Sequence, residues 1–172
     1  MGGGFSNGAF THGVASGDPT HDSVILWTRF ANAGDGRIGW EISRDETFSD
    51  IAASGQANAS AANDYCAKID ARGLAPGRPY FYRFLSASGP SVTGQTRTAP
   101  AGAAATLRAA LFSCSNFAFG YFHAYAHAAA QDDIDLALHC GDYIYEMALG
   151  RYPSEAETVP GRLIEPVREP PR

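Results

Sequence analysis

Between residues 10 and 97, apolar and polar positions alternate in short runs separated by turn residues, and no stretch holds a helical period. The clearest run is Ser23 to Phe30, after the turn Gly17-Asp18-Pro19-Thr20; Val24, Leu26 and Thr28 alternate there with Ile25, Trp27 and Arg29. Further strands are predicted over Arg37 to Ser43, Ile51 to Gly55, Tyr65 to Ala71, Pro79 to Ser86 and Val92 to Thr98. With Phe10 to Ala15 these make about seven, the number a small antiparallel sandwich uses. The segment Leu74-Ala75-Pro76-Gly77-Arg78-Pro79-Tyr80-Phe81-Tyr82 sets a Pro-Gly turn directly before an aromatic strand, as a tyrosine corner does. On that reading Tyr80 is the corner residue and Trp27 the buried indole of the sandwich. The plainer alternative makes Tyr80 and Tyr82 ordinary strand aromatics.

Beyond Arg97 the pattern changes. Residues 99–106 carry almost no bulky side chain and read as a linker between a β-sandwich over 10–98 and a second region over 107–172. There, Leu107 to Ser113 reads as a short apolar strand, Tyr121 to Gln131 as an Ala-rich helix, and Ile134 to Cys140 as a second apolar strand. Strand, helix, strand over about thirty residues is a βαβ unit, which implies a parallel sheet covered on both faces, with ligands at the carboxyl ends of its strands. The fold class expected is therefore α+β and multidomain. The tail from Tyr152 contains Pro153, Pro160, Pro166, Pro170 and Pro171, so it cannot form one helix and is expected to be largely irregular.

Composition narrows the classes of function. The chain has 172 residues, 45% of them hydrophobic, as in a packed protein rather than a disordered one. Thirteen basic against eighteen acidic residues give a formal charge of −5 with no Lys/Arg cluster, which argues against nucleic-acid binding. No run is long and apolar enough for a membrane span, and Met1 to Phe10 lacks both a basic and an apolar region of an export signal. The start Met1-Gly2-Gly3-Gly4-Phe5-Ser6 fits an acylation pattern but also reads as a frayed, glycine-rich end. Cys66, Cys114 and Cys140 form no C-x-x-C pair, which excludes a zinc ribbon and leaves at least one thiol free.

Candidate chemistry gathers at the two strand ends, Ser113-Cys114-Ser115-Asn116 and Cys140-Gly141-Asp142-Tyr143. A glycine followed by aspartate at a strand exit turns the backbone sharply and throws a carboxylate to the sheet edge, where Asp142 could bind metal or serve catalysis. Tyr145 follows three residues later, on the same side if the chain enters a helical turn; carboxylate and phenolate oxygens together suit ferric iron. Cys114 would add a thiolate. Each also has a structural reading: Asp142 as a turn or cap residue, Tyr145 as a packed aromatic, Cys114 as a small buried side chain or, with Cys140, half of a disulfide. His123 and His127 have the spacing of a zinc chelate without a third ligand nearby. His139 is either an orienting group for the ligand loop or a core histidine, and His12 and His21 are assigned nothing.

Four segments in order, Gly13-Val14-Ala15-Ser16-Gly17-Asp18-Pro19, Ser23-Val24-Ile25-Leu26-Trp27-Thr28-Arg29, Phe112-Ser113-Cys114-Ser115 and His139-Cys140-Gly141-Asp142-Tyr143-Ile144-Tyr145-Glu146, resemble the alkaline phosphatase D (PhoD-like) family. The resemblance runs from about Phe10 to beyond Arg151. It implies a fibronectin-like domain followed by a calcineurin-type metallophosphatase domain, here only its first βαβ part, over residues 107–172. It also implies hydrolysis of phosphate mono- and diesters by a metal-bound hydroxide at a site of ferric iron (Fe3+) and calcium (Ca2+). By the same resemblance, Cys114 would be the thiolate ligand of iron, Tyr145 its phenolate ligand, and Asp142 the catalytic carboxylate bridging iron to calcium. Family members continue past Arg172, and the asparagine and histidines that complete their metal shell belong to that later part, so this chain is expected to be an incomplete, nearly inactive fragment. The family further implies a periplasmic or secreted location, and a monomer is expected. The competing reading is a non-catalytic β-sandwich that binds a partner or glycan.

Overall fold

The computed structural model describes residues 10–31, 36–104, 106–145, 152 and 154–162. The Met1 to Ser6 pattern, Glu146 and the tail prolines Pro153, Pro166, Pro170 and Pro171 lie outside these. The chain divides into two compact units between Ala104 and Ala105.

In the first unit, eight strands are formed among the described residues: β1 Phe10–Gly17, β2 Ser23–Phe30, β3 Arg37–Ser43, β4 Ile51–Asn58, β5 Cys66–Arg72, β6 Pro79–Ser86, β7 Gly89–Pro90 and β8 Gly94–Arg97. The two-residue β7 is an addition to the seven expected, and β8 is shorter than the segment from Val92 to Thr98. One antiparallel sheet runs β1-β2-β5; in the other, β6 pairs with β3 on one edge and with β7 and β8 on the other, and β4 completes the β3 side. Both sheets contribute to one core, with Val24, Leu26 and Phe30 from β2, Ile38 and Ile42 from β3, and Tyr80, Tyr82 and Phe84 from β6. The period of two along β2 and β6 puts every second side chain inside. Thr28 keeps its inward place by donating its hydroxyl to the Gly13 carbonyl at 2.9 Å.

The same register corrects the expectation for Trp27. Val24, Leu26, Thr28 and Phe30 take the inward face, so Trp27 stands on the other, half-buried. Arg29 shares the face of Ile25 and Trp27, whereas Phe30 continues the face of Val24 and Leu26, and the size of the indole does not outweigh that difference. The Tyr80 corner, by contrast, is formed: the side chain is buried, and its phenol oxygen accepts the Ala75 amide at 2.9 Å, five residues upstream. Thr98 closes the same turn, donating its hydroxyl to the Ala75 carbonyl at 2.7 Å and accepting the Arg78 amide at 3.1 Å. Gly94 on β8 lies beneath the Tyr82 ring, where an added Cβ would sit 2.3 Å from a ring carbon. Only a residue without a side chain allows that approach.

The second unit holds β9 Ala109–Phe112, helix α1 His123–Ala129 and β10 Leu136–His139, with β9 and β10 parallel. Its register is pinned at the entry: the Arg108 amide donates to the Asp135 carboxylate at 3.1 Å, and the Asp135 amide to the Arg108 carbonyl at 2.9 Å. Among the described residues, the sheet is covered on one face rather than both. Phe112 and His139 face Tyr125 of α1, with ring centroids 4.6 and 6.3 Å apart, whereas Leu111 and Leu138, paired on the other face, stay 68% and 47% exposed. α1 is shorter than expected and buries none of its residues. Cys140, expected in a packed strand face, lies just past β10 and is exposed. Among the described residues of the tail, a 3-10 turn forms at Glu155–Glu157, and the Val159 amide donates to the Ala118 carbonyl at 2.9 Å. Among the described residues, no helix is long and apolar enough to cross a membrane.

Candidate functional site

The carboxyl ends of β9 and β10 stay joined after the strands finish. The Cys140 amide donates to the Phe112 carbonyl at 2.8 Å, Cys114 to Gly141 at 3.1 Å and Ser115 to Asp142 at 2.8 Å. To make these bonds both exits turn through left-handed backbone: Cys114 has φ 63° and Asp142 φ 53°, beside Gly141 at 127°. Left-handed φ is disfavoured for residues with a Cβ, and such conformations collect at functional sites.

This turning brings the three predicted ligands together. Cys114 Sγ lies 3.6 Å from Asp142 Oδ2, and the Tyr145 hydroxyl donates to the same oxygen at 3.2 Å. Ser113 Oγ lies 3.2 Å from the sulfur. Cys114 and Asp142 are exposed and Tyr145 is half-buried. The Tyr145 phenol is held above its ordinary range, first by its hydrogen bond with Cys114, then by desolvation and by the hydrogen bond and charge of Asp142. All three cysteines are free thiols, so Cys114 and Cys140 form no disulfide. His123 and His127 are exposed on α1, and among the described residues no three His, Cys, Asp or Glu side chains gather.

Behind the exits lies a second cluster. His139 Nε2 is 2.8 Å from both Ser115 Oγ and Tyr125 OH, and those two hydroxyls are bonded to one another. The Gly141 amide donates to the other ring nitrogen, Nδ1, at 3.3 Å. Sequence reasoning left His139 open, named Ser115 only as part of the strand end with no role, and missed Tyr125, whose signal was a lone phenol among the alanines of α1. It also missed Arg162, whose guanidinium stacks 3.8 Å from the Phe117 ring centroid while Nε donates to the Phe117 carbonyl at 2.7 Å.

Comparison with known proteins matches the PhoD-like phosphatase N-terminal domain to residues 3–100 and the PhoD-like phosphatase domain to residues 109–170. The chain belongs to the PhoD-like phosphatase family. It is 39% identical over 166 residues to alkaline phosphatase D of Bacillus subtilis (strain 168), covering 90% of this chain. It superposes on a solved structure of PhoD with a TM-score of 0.81 at 37% identity, covering 90% of this chain and 32% of that one. The chain spans 28% of the length of the Bacillus PhoD-like relative.

Proposed function

We propose that this chain is the N-terminal portion of an exported phosphoesterase that hydrolyses phosphate mono- or diesters, with its sandwich of fibronectin type and its second unit the start of a calcineurin-type domain. The observation that carries the reading is the convergence of thiol, carboxylate and phenol on one oxygen, Asp142 Oδ2. Three groups that each become anionic as ligands match the charge of a trivalent ion, and the phenol and carboxylate oxygens are donors that ferric iron prefers. Cys114, Asp142 and Tyr145 would hold the iron, and Asp142 would also serve as a ligand of calcium. The chemistry such ions supply when bound is polarisation of a phosphoryl oxygen and acidification of water. The protein's part is to fix the three donors at one sheet edge, so that a phosphate ester arriving there meets a prearranged charge distribution.

A two-metal site needs more donors than these three. Since the chain spans 28% of its Bacillus relative, the reading assigns the remaining ligands to sequence beyond Arg172. A phosphodiester assay of the 172-residue chain with added iron and calcium should then stay near background. A chain extended through the rest of the metallophosphatase domain should turn over and lose activity on Asp142→Asn. Turnover by the short chain at an ordinary enzymatic rate, about 10 per second, would overturn the fragment reading.

A further inference from the structure

We propose that His139, Ser115 and Tyr125 are positioning residues that hold the two strand exits at the spacing in which Cys114 and Asp142 share one ion. The inference rests on the reading of this edge as a metal centre and extends it to residues that touch no ion. Its basis is a closed ring of hydrogen bonds drawn from three elements. With Nδ1 of His139 accepting the Gly141 amide, Nε2 is the nitrogen left to donate, and it faces Ser115 Oγ and Tyr125 OH at 2.8 Å each. The Ser115 and Tyr125 hydroxyls close the ring between them.

The anchored residues flank both ligands. Ser115 follows Cys114 and bonds through its amide to the Asp142 carbonyl, while Gly141 precedes Asp142 and accepts the Cys114 amide through its carbonyl. Cys114 and Asp142 sit in left-handed backbone, which persists only where neighbouring contacts over-determine it. The histidine ring supplies that hold from β10, the serine from the exit of β9, and the tyrosine ties both to α1. Tyr125 is itself fixed by ring contacts with Phe112 at 4.6 Å and Phe122 at 5.7 Å, so its hydroxyl is a rigid fulcrum.

Two variants remove single hydroxyls and keep the carbon framework, Tyr125→Phe and Ser115→Ala. In the full chain, hydrogen exchange at the Cys114 and Ser115 amides should accelerate in both while the unfolding temperature stays close to wild type. Titration with ferric ion alone, followed by the visible thiolate and phenolate charge-transfer absorption, should show affinity falling about 10- to 100-fold. Unchanged exchange in both variants overturns the proposal, as does a lower unfolding temperature without local exchange. Faster exchange with unchanged ferric affinity overturns the claim that the ring sets the ion-sharing geometry. If the wild-type chain takes up no ferric ion, the metal-centre reading fails, and exchange alone decides whether the three residues hold the exits.

Discussion

Cys114 and Asp142 accept a backbone conformation that most side chains resist, and this shapes what their replacement does. Asparagine tolerates left-handed backbone nearly as well as aspartate, so Asp142→Asn should leave the melting temperature within a few degrees while abolishing ferric charge-transfer absorption. An unfolded variant would show instead that the carboxylate holds the exit together. A different carboxylate governs acid behaviour in the sandwich. Asp45 caps the turn over residues 45–50, accepting the amides of Thr47 at 2.9 Å and Ser49 at 3.2 Å, along with that of Asp50. Its pKa is held well below the carboxylate range, first by the Thr47 side chain, against the weaker opposing effect of desolvation. A folded-state pKa below the unfolded one means stabilisation that is fully present above about pH 4 and fades as pH falls toward the folded value. Asp45→Asn should therefore melt below wild type at neutral pH, with the gap narrowing as thermal unfolding is followed down from pH 5. A constant gap would show that the charge of Asp45 does not matter.

Among the elements, β2 and β6 carry the sandwich. Phe84→Ala on β6 should destabilise it by about 3 to 5 kcal/mol, as large aromatic deletions from cores do. Trp27→Ala on the outward face of β2 should cost clearly less, and denaturant unfolding of the two variants side by side checks the order. The bounds of β2, β3 and β6 were readable because each alternating run is bracketed by turn residues, and Tyr80 because its corner is local, five residues from its partner. The face of Trp27 was misread because indole size was weighed above the alternation, in which Arg29 shares the face of Ile25 and Trp27 while Phe30 continues that of Val24 and Leu26. In the second unit Cys114, Asp142 and Tyr145 were legible from the chemistry of two strand ends. The ring behind them was not: Ser115 meets Tyr125 across ten residues of chain and His139 across twenty-four, contacts that exist only after β9 and β10 pair.

For the molecule as a whole, the two units differ in how well each closes its own interior. Among the described residues the first holds a core of fourteen buried apolar side chains, all of them before Ala104. Residues 1–100 alone should accordingly unfold in one cooperative transition, with calorimetric and van't Hoff enthalpies in agreement; a broad melt would defeat their independence. The second unit has no fully buried residue among those described. Its Leu111 and Leu138 side chains lie together in contact with solvent. The consequence concerns handling in solution. At micromolar concentration the 172-residue chain should light up a hydrophobic dye and adhere to surfaces and to other copies of itself, while residues 1–100 should do neither. Replacing Leu111 and Leu138 together by lysine should quench most of the dye signal and leave the circular dichroism of the sandwich as it was.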